Sequence, residues 1–531
     1  MENNICGIPI IFGVTGHRDI LEKDILKLEK IVEKIFNDFQ KDYIHTEIIV
    51  ISALAEGADM LVARVAKRLN LKLHILLPYE EELYLKTFVK ENQEEFHTLK
   101  KYASRVETNR CDFALHGDEC YELLGKRITK DVNILIALWD GVLNQKQGGT
   151  SEVIQYQRRE SNNNRYDLID GDALFIINTP RQQNKEIEKP FEITDEYMGI
   201  SMDKKAFEKM LTNIDMLNQE LVKNNTEEKC GLETHMKYFE KKSEKNQKKF
   251  KLFSKLTLAF TGIAIASLEI MHVLHLDNFI LGYGIGLLLA FGIYSFFMRN
   301  GKVQNDFVFS RGFAEAIRIQ NVWNSAKIDE NVSSAYLKNQ HRDFTWVKVA
   351  LQGMTYADKT PFIPMYEQGN KPEDWIDGQL NYFQEAYTKR YESLEFFEKI
   401  EKVFYTLGFT ALILMFFIYS LESLHIIHHG ELWFSWHYLV LASGLLLLVA
   451  TFIGEKYLKI EGYEEEIYHF GSMKKIFQRA KDELEELKKS TQEDKQKRYN
   501  MIIIDLGLKA LEENSKWVIL HSSTEVKPSL D

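Results

Sequence analysis

The residues best suited to hold a phosphate-bearing ligand follow the first predicted strand, in the run GVTGHR at positions 13–18. Glycine there allows the backbone to approach a ligand closely, and Thr15 offers a hydroxyl. Arg18 carries a planar guanidinium whose N–H groups match the oxygens of a phosphate. Two interpretations of Arg18 stay open, because an arginine at this position is also typical of a solvated surface.

Acidic and glycine residues follow two later predicted strands, in the runs SALAEGAD at 52–59 and WDG at 139–141. Glu56 and Asp59 suit the hydroxyls of a ribose, although Asp59 equally suits the first turn of the next helix. The run QGGTSE at 147–152 places two glycines before another helix. That arrangement is typical of an anion nest and equally of a flexible turn.

All of these residues lie near the carboxyl ends of predicted strands, and in an open parallel sheet ligands bind at that edge. The chain contains neither GxGxxG nor GxxxxGK[ST], so neither a standard Rossmann nor a P-loop assignment follows. The predicted ligand-binding residues are Gly13, Thr15, Gly16, His17, Arg18, Ser52, Glu56, Gly57, Asp59, Trp139, Asp140, Gly148, Gly149, Thr150 and Glu152.

The elements that would position these residues alternate between apolar β-rich runs and helical patterns. Such alternation is typical of βαβ units, and it predicts a Rossmann-like α/β domain with a mostly parallel sheet. The predicted strands are Ile8–Val14, Thr46–Ser52, Leu71–Leu77, Val132–Leu138 and Ala173–Asn178. The predicted helices are Leu21–Phe39, Gly57–Leu69, Glu80–Ala103, Asp118–Lys130 and one that begins at Thr150.

Four later windows are apolar enough to span a bilayer, which takes about 20 residues of helix. They form two hairpins whose short connectors carry no lysine or arginine, while the opposite flanks are rich in lysine. The positive-inside rule therefore predicts that both termini and the middle segment are cytoplasmic. The windows are Leu256–Leu276, Phe279–Met298, Val403–Leu421 and Trp436–Gly454.

These patterns predict an α/β domain, two membrane hairpins and helical segments between and after them, with a looser stretch around Gln352–Lys371. The predicted boundaries are 1–185 for the nucleotide-binding domain, 186–250 for a helical linker, 251–300 for the first hairpin, 301–400 for a cytoplasmic helical region, 401–456 for the second hairpin, and 457–531 for a C-terminal helical region.

The two hairpins share the pattern L-E-x-x-H-x-x-H, at 268–275 and 421–428, which indicates an internal duplication. Glu269 and Glu422 either line an ion path or form hydrogen bonds across the repeat. The histidines either bind a metal or lie at the membrane interface, and we favour the second interpretation because the usual ligand set is incomplete. Arg311, Glu315 and Arg318 either form an ion-paired face that transmits motion below the membrane, or belong to a solvated helix face with intrahelical pairs.

Bulk composition alone would describe a soluble acidic protein, with a mean hydropathy of -0.28. The net charge of -11 argues against a surface that coats nucleic acid. The 4 cysteines lie apart without a CxxC pair, which argues against a disulfide scaffold or a zinc site. The first residues lack a basic segment before an apolar one, so no cleavable signal peptide is expected.

Taken in order, GVTGHR, SALAEGAD, LPY at 77–79, WDG and QGGTSE resemble the SLOG superfamily, which joins the DprA-like and LOG-like Rossmannoid proteins. The resemblance covers about the first third of the chain, and it implies a nucleotide-binding pocket. The matching positions are Gly13, Thr15, Gly16, Arg18, Ser52, Glu56, Asp59, Gly148, Gly149 and Thr150.

Enzymatic LOG proteins cleave nucleoside monophosphates and carry PGGxGTxxE, whereas this chain has QGGTSEV at 147–153. The proline and the glycine before the threonine are missing, and Val153 stands at the final acidic position. The resemblance therefore implies sensing rather than hydrolysis, and we predict no catalytic residue, metal or cofactor.

The membrane portion resembles doubled two-helix SLATT effector modules, which accompany SLOG domains in bacterial anti-phage systems. There a TIR domain or a nucleotide cyclase makes a nucleotide signal, such as a cyclic nucleotide or an ADP-ribose derivative. The resemblance implies an inner-membrane effector that binds this messenger, self-assembles and permeabilises the bilayer in abortive infection. The alternatives are a membrane-anchored nucleotide hydrolase and a nucleotide-regulated scaffold without a pore.

Overall fold

The computed structural model of the chain forms two compact units. Unit 1 consists of Met1–His235 and Asn331–Glu367, and unit 2 consists of Met236–Glu330 and Gln368–Asp531. Unit 1 is therefore assembled from two separate stretches of sequence. The structure describes the chain except for residues 1–6, 145, 159–170, 200–201, 225–230, 275, 299–300, 337–343, 359–370, 425, 427–430, 490–493 and 524–531.

A mostly parallel sheet forms the centre of unit 1, as the alternation of strands and helices predicts. In its described part the strand order is β4-β3-β2-β1-β5-β6-β7, and only β7 is antiparallel to its neighbour. The central strands are buried, whereas the two edge strands are polar and partly exposed. The strands are β1 (Ile10–Gly16), β2 (Ile48–Ser52), β3 (Lys72–Leu77), β4 (Arg105–Thr108), β5 (Ile134–Trp139), β6 (Asp172–Asn178) and β7 (Ile193–Met198).

Helices account for most of the remaining described residues. Their bounds, in chain order, are α1 (Glu22–Asp42), α2 (Ala58–Arg68), α3 (Glu81–Leu85), α4 (Lys90–Tyr102), α5 (Phe113–His116), α6 (Glu119–Asp131), α7 (Thr150–Arg158), α8 (Lys204–Asn224), α9 (Leu232–Leu274), α10 (Phe279–Ile293), α11 (Lys302–Ser325), α12 (Val332–Ala335), α13 (Thr345–Asp358), α14 (Pro372–Ser423), α15 (Glu431–Glu461), α16 (Tyr463–Lys489) and α17 (Lys495–Ser523).

The long helix predicted over Glu80–Ala103 is wrong, because the chain breaks there into α3 and α4. The Thr87 hydroxyl donates to the Tyr84 carbonyl at 2.8 Å, which ends α3 with a local side-chain bond. Glu56 accepts from the Val89 N–H at 2.7 Å and so fixes the start of α4. The break brings Phe88 against Tyr84, with ring centroids 5.0 Å apart.

The predicted looser stretch from Gln352 is also wrong up to Asp358, because these residues belong to α13. This helix lies along the amino ends of the strands. Gln352 exchanges hydrogen bonds of 3.1 Å with the Asn133 side chain and the Lys130 carbonyl, just before β5. Tyr356 lies 3.1 Å from His74 of β3. A segment that follows the first hairpin in sequence thus completes the α/β unit.

Unit 2 contains four helices long and apolar enough to span a membrane, as the sequence windows predict. They are α9, α10 with its π-helical extension Tyr294–Met298, α14 and α15. Only 11–17% of each apolar window is buried within the chain. Most side chains of these apolar windows therefore face outward, which suits a hydrocarbon environment.

The C-terminal region predicted over 457–531 is helical in its described part, where α16 and α17 are long helices with many charged residues. On the helix near 311–318 the structure contains one intrahelical pair, which suits the solvated interpretation, and one pair to another helix, which suits the ion-paired interpretation. Arg318 lies 2.5 Å from Glu315 on its own helix and 2.5 Å from Glu240 of α9. Glu315 most, and Glu240 after it, raise the pKa of Arg318, while burial opposes them.

Candidate functional site

The strand order reverses at β1, which pairs with β2 on one side and with β5 on the other. Ligands of open α/β sheets bind beyond the carboxyl ends of the strands at such a reversal. His17 and Arg18 leave β1 at this point, and Asp140 leaves β5. Gly13 and Thr15 lie inside β1 instead, where Gly13 packs against Ile128 and Val132.

Arg18 is exposed and framed by aromatic rings. Its Cζ lies 5.8 Å from the ring centroids of Tyr84 and Tyr121 and 5.9 Å from that of Phe88. One Nη donates to the Thr87 hydroxyl at 3.3 Å. Among the described residues no carboxylate pairs with this guanidinium, so its charge remains available to an anion.

Two further rings extend this wall. The Tyr79 and Tyr121 hydroxyls are 2.7 Å apart, and the Phe113 ring centroid lies 4.3 Å from that of Tyr79. We call Tyr79, Tyr84, Phe88, Phe113 and Tyr121 the aromatic wall. Sequence reasoning did not select these residues as ligand contacts, and the one available signal was Tyr79, which directly follows the third strand in LPY.

The loop between β2 and α2 is held by Ser52 and Asp59, of which Asp59 was a candidate to bind ribose. The Ser52 hydroxyl accepts from the Leu54 N–H at 3.0 Å and donates to the Asp59 carbonyl at 3.3 Å. The Asp59 carboxylate accepts from the Ala55 N–H at 3.4 Å. Burial raises the pKa of Asp59 to about 7, against the lowering effect of its backbone hydrogen bonds and of Arg18. Ser52 and Asp59 therefore fix the loop that supports the site.

The buried Asp59 carboxyl predicts a pH-dependent stability. Its pKa is 3.8 ordinarily and about 7 in the fold. Between those values the unfolded chain releases a proton that the folded chain keeps, so stability falls as pH rises and the loss is complete above pH 7. The full difference is about 4 kcal/mol. Asp59→Asn should therefore gain stability relative to wild type from pH 4 to pH 8.

The measurement is the melting temperature of the full chain in detergent across that pH range. Asp38→Asn, on the exposed face of α1, is the matched control. A constant difference in melting temperature between Asp59→Asn and wild type at every pH would contradict the assignment of a neutral Asp59.

A charged cluster closes the gap between β1, β5 and β6. The Asp140 carboxylate is fully buried and accepts from Arg181 Nε at 2.7 Å. His17 Nε2 lies 3.0 Å from the other Asp140 oxygen, and Arg181 also reaches Asp19 at 3.4 Å. Burial lowers the pKa of His17, although Asp140 opposes this shift, so the imidazole is neutral near pH 7.

Arg181 was missing from the predicted site residues, although it shares their position just beyond the carboxyl end of a strand. Burial acts to raise the pKa of Asp140, but hydrogen bonds from Arg181 and Val142 hold it below its ordinary value. Trp139 donates to the Val142 carbonyl at 3.1 Å and steadies the same turn. The cluster supports the loops at the strand ends.

The predicted anion nest precedes α7, which begins at Thr150 as expected. The Gly148 N–H donates to the Glu152 carboxylate at 2.5 Å, and the Gly149 N–H donates to the Lys146 carbonyl at 2.9 Å. Gly148 has a φ of +68° and lies directly against the backbone of Tyr121. The predicted nest therefore binds the Glu152 carboxylate of the chain itself, next to Tyr121 of the aromatic wall.

A disulfide joins Cys111 to Cys120, whose Cα atoms are 5.6 Å apart. The expectation drawn from the scattered cysteines missed this bond. The short helix α5 and the turn at Gly117 reverse the chain between them, which brings the two sulfurs together. The resulting loop carries Phe113 of the aromatic wall.

The glutamates proposed for a membrane path, Glu269 on α9 and Glu422 on α14, are both half-buried. Their role stays a prediction. Within the described residues no three His, Cys, Asp or Glu side chains form a metal site. His275, His425 and His428 of the repeated pattern lie outside the residues that the structure describes.

No protein-family model and no curated protein matches this chain. The assignment to the SLOG superfamily stays a prediction. What the described side chains offer at this edge of the sheet is one exposed guanidinium, a wall of aromatic rings, and loops held rigid by buried polar contacts. This combination is suited to hold an anionic ligand with a planar ring.

Proposed function

We propose that this protein is a membrane-bound receptor for an anionic, nucleotide-derived second messenger. The observation that carries the proposal is Arg18, which is exposed at the strand reversal, framed by three rings, and without a carboxylate partner among the described residues. A phosphate would bind the N–H edge of this guanidinium. A base would stack against Phe113 or Tyr121, the two partly exposed rings of the aromatic wall, as bases do on Tyr and Phe in other nucleotide sites.

Binding without turnover is the mode that the side chains favour. Glu152, the nearest acidic residue to the LOG motif position, is bound to the Gly148 N–H. Asp140 is bound to Arg181, and Glu56 is bound to the start of α4. A general base must be free to reach the proton that it removes, and these carboxylates are engaged in holding loops.

In this proposal the membrane helices are the effector. Messenger binding favours one assembly of several copies, and the four spans of each copy then open the bilayer to ions or disrupt it. The ligand must bind that assembly more tightly than the resting one. The lysine-rich flanks support a bacterial inner membrane location with both termini in the cytoplasm. A TIR domain or a nucleotide cyclase would supply the messenger during phage infection, in an abortive response.

The first test replaces Arg18 with glutamine in the full chain, reconstituted in lipid nanodiscs. ADP-ribose and cyclic AMP serve as probes in equilibrium dialysis. Hydrogen bonds to a charged partner contribute about 1.5–3 kcal/mol, so Arg18→Gln should weaken binding of the recognised probe by about 10- to 150-fold. Arg68→Gln is the matched control, because Arg68 pairs with Glu29 and Glu33 on the surface of unit 1.

The second arm uses liposomes loaded with a fluorescent dye. Wild type and Arg68→Gln should release dye when the recognised probe is added, whereas Arg18→Gln should insert normally and release none. Equal binding by Arg18→Gln and wild type would place the ligand elsewhere. Conversion of a probe into products would show a hydrolase, and saturating binding without release would show a scaffold without a pore.

A further inference from the structure

The disulfide between Cys111 and Cys120 closes a loop beside the candidate site of unit 1. The loop contains Phe113, and Tyr121 directly follows Cys120 at the start of α6. These two partly exposed rings are the ones against which a base would stack in the proposed function. The disulfide therefore joins the two points of the chain that carry the stacking surface.

The two rings contact each other and the rest of the aromatic wall. Their centroids are 6.4 Å apart at an interplanar angle of 80°. Tyr79 contacts both, through a centroid distance of 4.3 Å to Phe113 and a distance of 2.7 Å between its hydroxyl and that of Tyr121. Since Arg18 Cζ lies 5.8 Å from the Tyr121 ring centroid, a displacement of the loop would change the surface beside the guanidinium.

Few contacts other than these hold the loop. Each of residues 111–119, all of which the structure describes, is at least partly exposed. The helix α5 is a single turn of 4 residues with none of them buried, and one turn of helix is unstable by itself. Gly117 ends it with a φ of +55° and open space around an added Cβ. The bond to the buried Cys120 is therefore a principal restraint on Phe113.

The location of this bond is unusual for a structural disulfide. In the orientation that the proposed function assumes, unit 1 faces the cytoplasm, where thiols are kept reduced and disulfides are mostly transient or redox-sensing. Cys111 is partly exposed, whereas Cys120 is 0% exposed. A thiol from solution can therefore reach the Cys111 sulfur without unfolding of the sheet.

We propose that Cys111 and Cys120 form a reversible thiol–disulfide switch that regulates the candidate site at Arg18. The disulfide form holds Phe113 and Tyr121 in place and binds the messenger. The dithiol form releases the loop, and the stacking surface is lost. The inference rests on the proposed function for its ligand, but not for the exchange of the bond or the release of the loop.

A small cytoplasmic thiol such as glutathione supplies the electrons in this exchange. Its thiolate attacks the Cys111 sulfur, the S–S bond breaks, and the bonding electron pair leaves with the Cys120 sulfur, which takes up a proton. A second glutathione thiolate attacks the glutathione sulfur of the mixed disulfide and releases the Cys111 thiolate, which is then protonated. Two glutathione thiols are thus oxidised to one glutathione disulfide, and excess glutathione disulfide reverses the reaction.

The first arm of the test needs no ligand. The full chain with Cys6→Ser and Cys230→Ser, in which Cys111 and Cys120 are the remaining cysteines, is equilibrated in nanodiscs with excess glutathione or glutathione disulfide. Alkylation followed by mass measurement should detect both thiols in the first buffer and neither in the second. The loop amides should exchange hydrogen about tenfold faster or more in the dithiol form, whereas those of β1 and β5 should be unchanged.

The second arm measures binding of ADP-ribose and cyclic AMP to the same protein by equilibrium dialysis. Because bases stack favourably on aromatic side chains, the recognised probe should bind about 5- to 150-fold more weakly to the dithiol form. Cys111→Ser in this background should bind equally weakly in both buffers. Leu115→Ala is the matched control, because Leu115 lies on the same loop but is 78% exposed, and it should respond to glutathione as its parent does.

The switch is overturned if excess glutathione leaves the bond intact, or if the loop amides exchange alike in both forms. Its effect on the site is overturned if the dithiol form binds the recognised probe as tightly as the disulfide form does. If neither form binds either probe, the proposed function fails, and the thiol count and the exchange rates alone decide whether the bond is a switch.

Discussion

Replacement of Gly57 by alanine is expected to destabilise unit 1 by about 4 kcal/mol, the combined cost of a glycine-only backbone conformation and of a clash in a packed interior. Gly57 has a φ of 80° and a ψ of -117°. A Cβ added there would lie 2.5 Å from the backbone oxygens of both His17 and Arg18. The β1 and β2 loops would have to separate to accept it.

That separation would also break the hydrogen bond of 3.1 Å from the Ala58 N–H to the His17 carbonyl. Because Arg18 directly follows His17, we expect Gly57→Ala to weaken the proposed binding of a ligand in the molecules that still fold. Stability is best measured by hydrogen exchange of the β1 and β2 amides in the full chain in detergent, which reports on unit 1 separately.

Gly141→Ala is the matched control for this prediction. Gly141 has the same φ of +80°, but a Cβ at that position would meet nothing within 4 Å. Gly141→Ala should therefore destabilise unit 1 only through the unfavourable backbone conformation of an alanine with positive φ, which costs about 1 kcal/mol. Equal losses in the two variants would show that the close approach of the loops at Gly57 contributes nothing.

The second large effect is expected from Arg181→Leu, which leaves the buried Asp140 carboxylate without its main partner. Removal of one member of a buried ion pair typically costs about 3–5 kcal/mol. Arg181 lies 2.7 Å from Asp140, and the Asp140 side chain is 0% exposed. The unfolding free energy of unit 1 should fall by that amount at pH 7.

A lower pH should reduce this loss. In the wild type Arg181 helps hold the pKa of Asp140 in the folded chain below its ordinary value of 3.8. The resulting stabilisation is complete above the pKa of the unfolded chain, and it is lost as the pH falls through the lower pKa of the folded chain. The double variant Arg181→Leu, Asp140→Asn should recover part of the stability, because it removes the uncompensated charge. A double variant no more stable than Arg181→Leu would show that the loss arises from packing rather than charge.

The sequence predicts the α/β fold and the four apolar helices because each of them is recognisable from the apolar residues within a short stretch of sequence. A buried parallel strand such as β5 is a continuous apolar run, and a span is a longer one. The edge strands β4 and β7 were not predicted, because their sequences RVET and ITDEYM are polar and partly exposed. These edge strands lack the apolar pattern that identifies a strand in a sequence. They are recognised only by their hydrogen bonds to the neighbouring strands β3 and β6.

The sequence predicts which residues lie near the candidate site, but it does not predict which groups they form hydrogen bonds with. The rule that ligands meet strand ends placed Arg18 and Asp140 near the site. This rule does not say which carboxylate accepts a hydrogen bond from which N–H. It therefore does not predict that the Glu152 carboxylate accepts from the Gly148 N–H. The aromatic wall comes from separate segments around Tyr79, Tyr84 and Tyr121, and only the folded chain shows that they surround one guanidinium.

The division of unit 1 into two stretches of sequence has a consequence for how the protein is made. The helix α13, which completes the amino edge of the sheet, is synthesised about 120 residues after the end of the first stretch at His235. At 5–20 residues per second the ribosome needs roughly 6–24 s to reach it. The first hairpin lies entirely within that interval, so it leaves the ribosome before the α/β unit is complete. We therefore expect the nascent chain to enter the membrane while its sheet is still unfinished, and the last folding step of unit 1 to follow insertion.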